Sequence, residues 1–298
     1  MVCSLLGLLL LQPDPSAIRR LFEYNLARSE RQYGADDART AAAARDLGLF
    51  LKNAGDPEGA RAALARAVRT EGRLADVAEL AALSPAEEAE PLWQRVARSA
   101  DPAEASRALA ALGELHAAVD DTAAAVSLYR RALAKEEEAH GKDSAGVAVR
   151  LNALAVLVEP KEGIPMLERA LTIDRRLLGE RHPETSTTEA NLAGRLLDNG
   201  RTDAALRLAN AALAAFEDTL GPENPRVASV SLILAFCWRA KGDRAHAERF
   251  YRRALEIDEA AYGADHPETL TDVKNLAEFL REIGKSTEAA ALEKRLPR

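Results

Sequence analysis

At seven regularly spaced places along the chain a leucine directly before glycine or alanine is paired with a second small residue downstream: Leu47-Gly48, Leu80-Ala81, Leu112-Gly113, Leu154-Ala155, Leu192-Ala193, Leu234-Ala235 and Leu276-Ala277. A second small residue follows at a fixed distance: Ala60, Ala89, Ala125, Gly163, Ala205, Ala247 and Ala289, twelve residues on in five cases and eight on in two. The dipeptides are separated by 33, 32, 42, 38, 42 and 42 residues. A period of this length is the mark of stacked supersecondary units, each too small to bury its own apolar face.

The last units show what each contains. Pro225–Lys241 with Asp243–Tyr262, and Pro267–Ile283 with Lys285–Leu296, are pairs of stretches whose apolar residues recur three and four apart, such as Val230, Ile233 and Leu234, then Phe250, Leu255 and Ile257. That spacing predicts amphipathic helices. Gly242 and Gly284 supply the backbone that ends the first helix, and the polar residue beyond each can cap the second. The small residues mark where paired helices approach too closely for a bulky side chain.

Leu-Gly, an aromatic three residues further, then small, aromatic and small residues on the second helix resemble the tetratricopeptide repeat. Leu112, Gly113, His116, Ala125, Tyr129 and Ala132 show it, as do Leu234, Ala235, Trp238, Ala247, Tyr251 and Ala254. The 42-residue spacing resembles the kinesin-light-chain type of this family, with Ala170-Leu171-Thr172-Ile173-Asp174, Leu178-Gly179 and His182-Pro183-Glu184-Thr185, and again Ala254-Leu255-Glu256-Ile257-Asp258 and His266-Pro267-Glu268-Thr269. The resemblance implies an all-α, right-handed superhelical solenoid of about seven antiparallel helix pairs, expected as a single domain over residues 16–296. Ser16–Gln32 is expected to be an additional helix that caps the first pair. Pro91 and Pro165, in the two shortened units, are expected near the start of their second helices, where a missing N–H costs little.

Residues 1–15 form a separate apolar segment, with Met1–Leu11 broken by Gln12-Pro13-Asp14-Pro15. It resembles the hydrophobic part of a secretory signal but lacks a basic leader, so the cytoplasm is favoured, with export through a truncated signal and a role as an N-terminal cap both open. Two cysteines, Cys3 and Cys237, make no disulfide framework, and Cys237, between Phe236 and Trp238, is expected to pack. Net charge is −7, which argues against a nucleic-acid footprint. The Arg175-Arg176 and Arg252-Arg253 pairs and the Glu136-Glu137-Glu138 run are read as solvated helix surface.

No phosphate-cradling glycine loop or Gly-x-Ser-x-Gly occurs, and no nucleophile and base stand at a telling spacing. No catalytic residue, cofactor or metal is expected. His116 replaces the repeat's aromatic and is expected in the core. His182 and His266 recur in register before Pro-Glu-Thr and are expected to start helices, a role Asn224 fills between them.

The expected function is therefore a non-catalytic scaffold that holds a peptide segment or a helix of a protein partner in a groove lined by first helices. The alternative is a peptide-sensing regulatory domain acting on a separate effector. Counting from the Leu-small dipeptides places Asn152, Asn191, Arg239, Lys274, Asn275 and Arg281 on that face. The Asn-Leu-Ala steps at Asn191 and Asn275 are what the resemblance carries toward a bound peptide, since an amide satisfies both backbone polar groups. Ile233 interrupts them, and the asparagines could equally support neighbouring helices.

Overall fold

A computed structural model of the chain describes residues 14–71 and 73–297, at 70 and 71 the backbone alone. The apolar segment Met1–Leu11 and Cys3 lie outside the described residues. The described residues contain fifteen helices and no strand. Helix α1 (Pro15–Tyr33) precedes seven pairs: α2 (Ala38–Asn53) with α3 (Pro57–Glu71), α4 (Leu74–Leu83) with α5 (Ala86–Val96), α6 (Pro102–Ala118) with α7 (Thr122–His140), α8 (Ala145–Ala155) with α9 (Pro160–Leu177), α10 (Pro183–Asp198) with α11 (Thr202–Leu220), α12 (Pro225–Ala240) with α13 (Arg244–Tyr262), and α14 (Pro267–Glu282) with α15 (Ser286–Glu293). The chain divides after Lys135 into two compact units, and α7 spans the division.

Local chemistry explains the boundaries. His182 and His266 are N-caps whose Nδ1 accepts from the backbone N–H of Glu184 (3.1 Å) and Glu268 (3.2 Å). Asn224 does the same for Arg226 at 3.0 Å, followed as they are by proline in the first turn. Asp14, Asp37, Asp101 and Asp243 cap four further helices. Gly242 and Gly284 end the first helices of the last pairs at φ +77° and +88°, the left-handed region that side chains resist.

Three expectations change. Pro91 and Pro165 are the sixth residues of α5 and α9, not first-turn residues. The shortened turns let both helices begin earlier, so each proline removes one interior hydrogen bond. The last helix ends at Glu293 rather than Leu296, because Pro297 disfavours helix before it and no further pair follows within the described residues. Glu136 is no solvated residue: only 7% exposed, it lies beneath Gly146 and accepts from His140 Nδ1 at 2.9 Å when that nitrogen is protonated.

The small residues serve as contact points in both units. In the first, Gly48 meets the Leu64 side chain and Gly113 lies on the Tyr129 ring, where an added Cβ would stand 2.8 Å and 3.0 Å from its neighbour. In the second, Ala193, Ala205, Ala209, Ala235, Ala247 and Ala254 are fully buried in one core with Leu234, Phe216 and Tyr251. Cys237 packs there too, and burial pushes its thiol up to about 11, which keeps it protonated and unreactive.

Candidate functional site

In the second unit the first helices of successive pairs share one face. Asn152 of α8 and Asn191 of α10 meet on it: the Asn191 amide donates to Asn152 Oδ1 at 3.1 Å. Asn152 in turn donates to Thr188 Oγ1 at 2.7 Å and to its own helix at Ala148 O, 3.2 Å. The Thr188 hydroxyl donates to the buried Asp174 carboxylate at 2.6 Å. This relay ties α8, α9 and α10, and it commits both amide hydrogens of Asn152 to the protein itself. Asn191 keeps its side-chain carbonyl without a hydrogen-bond partner among the described residues.

Two repeats on, Asn275 is half-buried and makes no side-chain hydrogen bond within the described residues. Between the two, Ile233 is likewise half-buried. One turn further along each helix stand Gly194, Phe236 and Glu278. A Cβ added at Gly194 would meet nothing within 4 Å, so the face is open there. Phe236 packs edge-on against buried Tyr251 (centroids 5.5 Å), which leans on Phe279 (5.1 Å). This aromatic trio fixes the floor. Burial pushes the Tyr251 phenol up, against the pull of nearby Arg239.

The predicted cations separate. Arg239 bridges α12 and α14 through Glu282 at 2.5 Å, and Arg281 bonds Glu293 at 2.6 Å. Lys274 is exposed and has no acidic partner among the described residues. The Arg175-Arg176 and Arg252-Arg253 pairs are engaged in ion pairs: Arg253 meets Glu217 at 2.5 Å, and Arg175, expected on a solvated surface, reaches the buried carboxylate of Glu189 at 2.7 Å. His116 is no core residue: it is half-exposed at the end of α6 and pairs with Asp121 at 3.1 Å. No group of three His, Cys, Asp or Glu side chains could hold a metal among the described residues, and none of their helices is long and apolar enough to cross a membrane.

Sequence reasoning missed a buried acidic pair behind this face. Asp258 of α13 and Asp272 of α14 are both almost wholly buried, and Oδ1 of the first and Oδ2 of the second have no hydrogen-bond partner. Burial, the adjoining Asp258 and then Glu268 push Asp272 up to about 7, and burial raises Asp258 as well. When Asp272 carries its proton the two share a hydrogen bond, as Thr188 and Asp174 do in the same register 84 residues earlier. That register was the available signal: Asp272 and Thr188 each stand four residues before the leucine of their repeat.

Comparison with known proteins bears on the repeats directly. Residues 159–218, 190–260 and 226–296 each match the Tetratricopeptide repeat family. A stretch of 125 residues is 30% identical to the Clustered mitochondria protein homolog of Meyerozyma guilliermondii, covering 42% of this chain and 10% of that protein. The Ajellomyces capsulatus homolog is 26% identical over 139 residues, 46% of this chain and 11% of its own length. The chain thus spans about a tenth of these curated relatives. Among solved structures, BtubC (BKLC) from P. vanneervenii superposes with TM-score 0.58 at 23% identity, over 71% of this chain and 89% of that one. The kinesin-light-chain-type protein of Podosopora anserina, built of nearly identical TPR-like repeats, gives 0.54 at 21% over 66% and 95%. The Rap protein complexed with Competence and Sporulation Factor gives 0.63 at 15% over 94% and 76%.

Proposed function

Residues 159–296 carry tetratricopeptide repeats, and from that premise we propose that the second unit of the chain is a non-catalytic scaffold holding a protein segment across α10, α12 and α14. The fold serves protein–protein interaction in general. The observation that carries the finer reading is the row Asn191, Ile233, Asn275, three half-buried residues in one register with open space at Gly194 beside them. The unpartnered side-chain carbonyl of Asn191 and the unpartnered amide of Asn275, at the two ends of the row, suit the backbone of an extended segment. Ile233 and the exposed part of Phe236 suit one apolar side chain between them, and unpaired Lys274 suits a carboxylate on the segment. The relay through Thr188 supports Asn152 as a residue that orients Asn191, not as a contact itself. Two readings of the asparagines therefore divide by position: Asn152 supports the array, while Asn191 and Asn275 face the segment.

The test uses the gap at Gly194. Peptides selected from a random display library on the full chain are expected to lose binding at least tenfold in Gly194→Trp, which fills the row with an indole. Helicity and Tm should be unchanged or slightly higher, since glycine is a poor interior helix residue. Asn191→Ala with Asn275→Ala should weaken the same peptides while the fold persists. Peptides that bind Gly194→Trp as tightly as the parent would place the interaction elsewhere.

A further inference from the structure

The repeats of this chain act as controls for one another, and in the first unit one of them lacks two groups that its counterparts possess. Eight residues after the small residue, the second helices α3, α7, α9, α11 and α13 carry Val68, Leu133, Leu171, Leu213 and Leu255. At that place α5 has Ala97. The shortfall coincides with an open hollow of about 270 Å³ between α5, α6 and α7, whose apolar part is Leu109, Leu112 and Leu128.

The second missing group is a carboxylate. Six residues after their small residue, Arg66, Arg169, Arg253 and Arg295 each pair with an acid on the preceding second helix or, for Arg66, on α1: Glu30, Glu137 (2.8 Å), Glu217 (2.5 Å) and Glu259 (2.9 Å). Arg131 of α7 occupies the same place. Its counterpart acid would stand twelve residues after Ala89, where the sequence has Asp101, but α5 has already ended at Val96 and Asp101 instead caps α6 through the Ala103 N–H at 2.9 Å. Arg131 therefore lines the hollow with no acidic partner among the described residues, and so does Arg98. Two acids of the same helix region are engaged with other residues: Glu90 accepts from Gln94 at 3.0 Å, and Asp121 holds His116 at 3.1 Å.

We propose that this hollow binds a free carboxylate carried on an apolar stem, its hydrocarbon against Leu109, Leu112 and Leu128 and its carboxylate on Arg131 and Arg98. Such a ligand restores both the leucine and the glutamate that the shortened repeat gave up. A charged oxygen pair suits a guanidinium's fork of donors. An apolar cavity of about 150 Å³ accepts benzene, so this one has room for a stem of about six to eight carbons.

Octanoate is the probe, titrated into the full chain while the methyl resonances of Leu109, Leu112 and Leu128 are followed by NMR. Octanoate should shift these methyls, with octanol at least tenfold weaker and octylammonium weaker still. Arg131→Gln should weaken octanoate at least tenfold with the fold intact. Ala97→Leu, which replaces the missing side chain, should abolish binding without lowering Tm. Octanol binding as tightly as octanoate, octanoate binding unchanged in Ala97→Leu, or no shift at these three leucines would overturn the assignment.

Discussion

Asp272→Thr is expected to stabilise the second unit by about 3–4 kcal/mol at pH 8 and to leave it nearly unchanged at pH 4. The folded-state carboxyl titrates near 7 against a usual 3.8. Between those values the folded chain holds a proton that the unfolded chain has lost, so the contribution present in full below about 3.8 is lost progressively as pH rises and is gone above 7. The parent chain should accordingly lose about 3 kcal/mol between pH 5 and pH 8 from this group alone. Threonine reproduces the hydroxyl-to-carboxylate bond that Thr188 makes to Asp174 and carries no titrating proton. Urea midpoints of parent and variant at pH 5 and pH 8 decide the matter: a variant whose midpoint follows pH as steeply as the parent's would show that Asp272 is not the group responsible.

Gly163→Leu should cost about 3 kcal/mol or more, whereas Gly194→Ala should gain roughly 0.5–1 kcal/mol, although both glycines lie inside helices of neighbouring pairs. The difference is what surrounds each. A Cβ at Gly163 would come within 2.4 Å of the Ala155 carbonyl oxygen, backbone that cannot rotate away, because only eight residues separate the two small positions in this shortened pair. Nothing lies within 4 Å of the same atom at Gly194. Thermal melts of the two variants should move in opposite directions. If Gly163→Leu melts like the parent, the close approach of α8 and α9 is not what requires glycine there.

The sequence made the helix pairs legible because close packing recurs: Leu234, Ala235 and Ala247 occupy equivalent buried positions to Leu276, Ala277 and Ala289. The N-caps were legible for the same reason, since His182, Asn224 and His266 stand before proline in one register. Departures from the repeat carry no such register signal. Spacing puts Pro91 and Pro165 at a helix start, whereas both are sixth residues, because the shortened turn moves the start and not the proline. His116 follows the repeat's aromatic position but ends at an exposed helix terminus, where a polar ring finds Asp121 instead of a core. The groove cations illustrate a further limit. Spacing puts Arg239, Lys274 and Arg281 on one face, but their partners Glu282 and Glu293 belong to other turns and another helix, so which of the three remains unpaired depends on tertiary packing. The hollow beside Ala97 combines both levels: register names the absent leucine, and the packing of α5, α6 and α7 leaves the space open.

One position in the second unit has a consequence for how such a chain can change over generations. Where each second helix meets the next first helix, the slot holds Asp174 with Thr188, then Phe216 with Val230, then Asp258 with Asp272. Excising one 42-residue segment with its breakpoints between the two halves of a slot would leave the helices in frame yet set Asp174 against Val230, or Phe216 against Asp272. Either mismatch strands a carboxyl in an apolar setting, at a cost of several kcal/mol. Modules that look interchangeable by length are thus keyed to their neighbours across these slots, and the array tolerates losing a member only where the cut spares both halves of each slot.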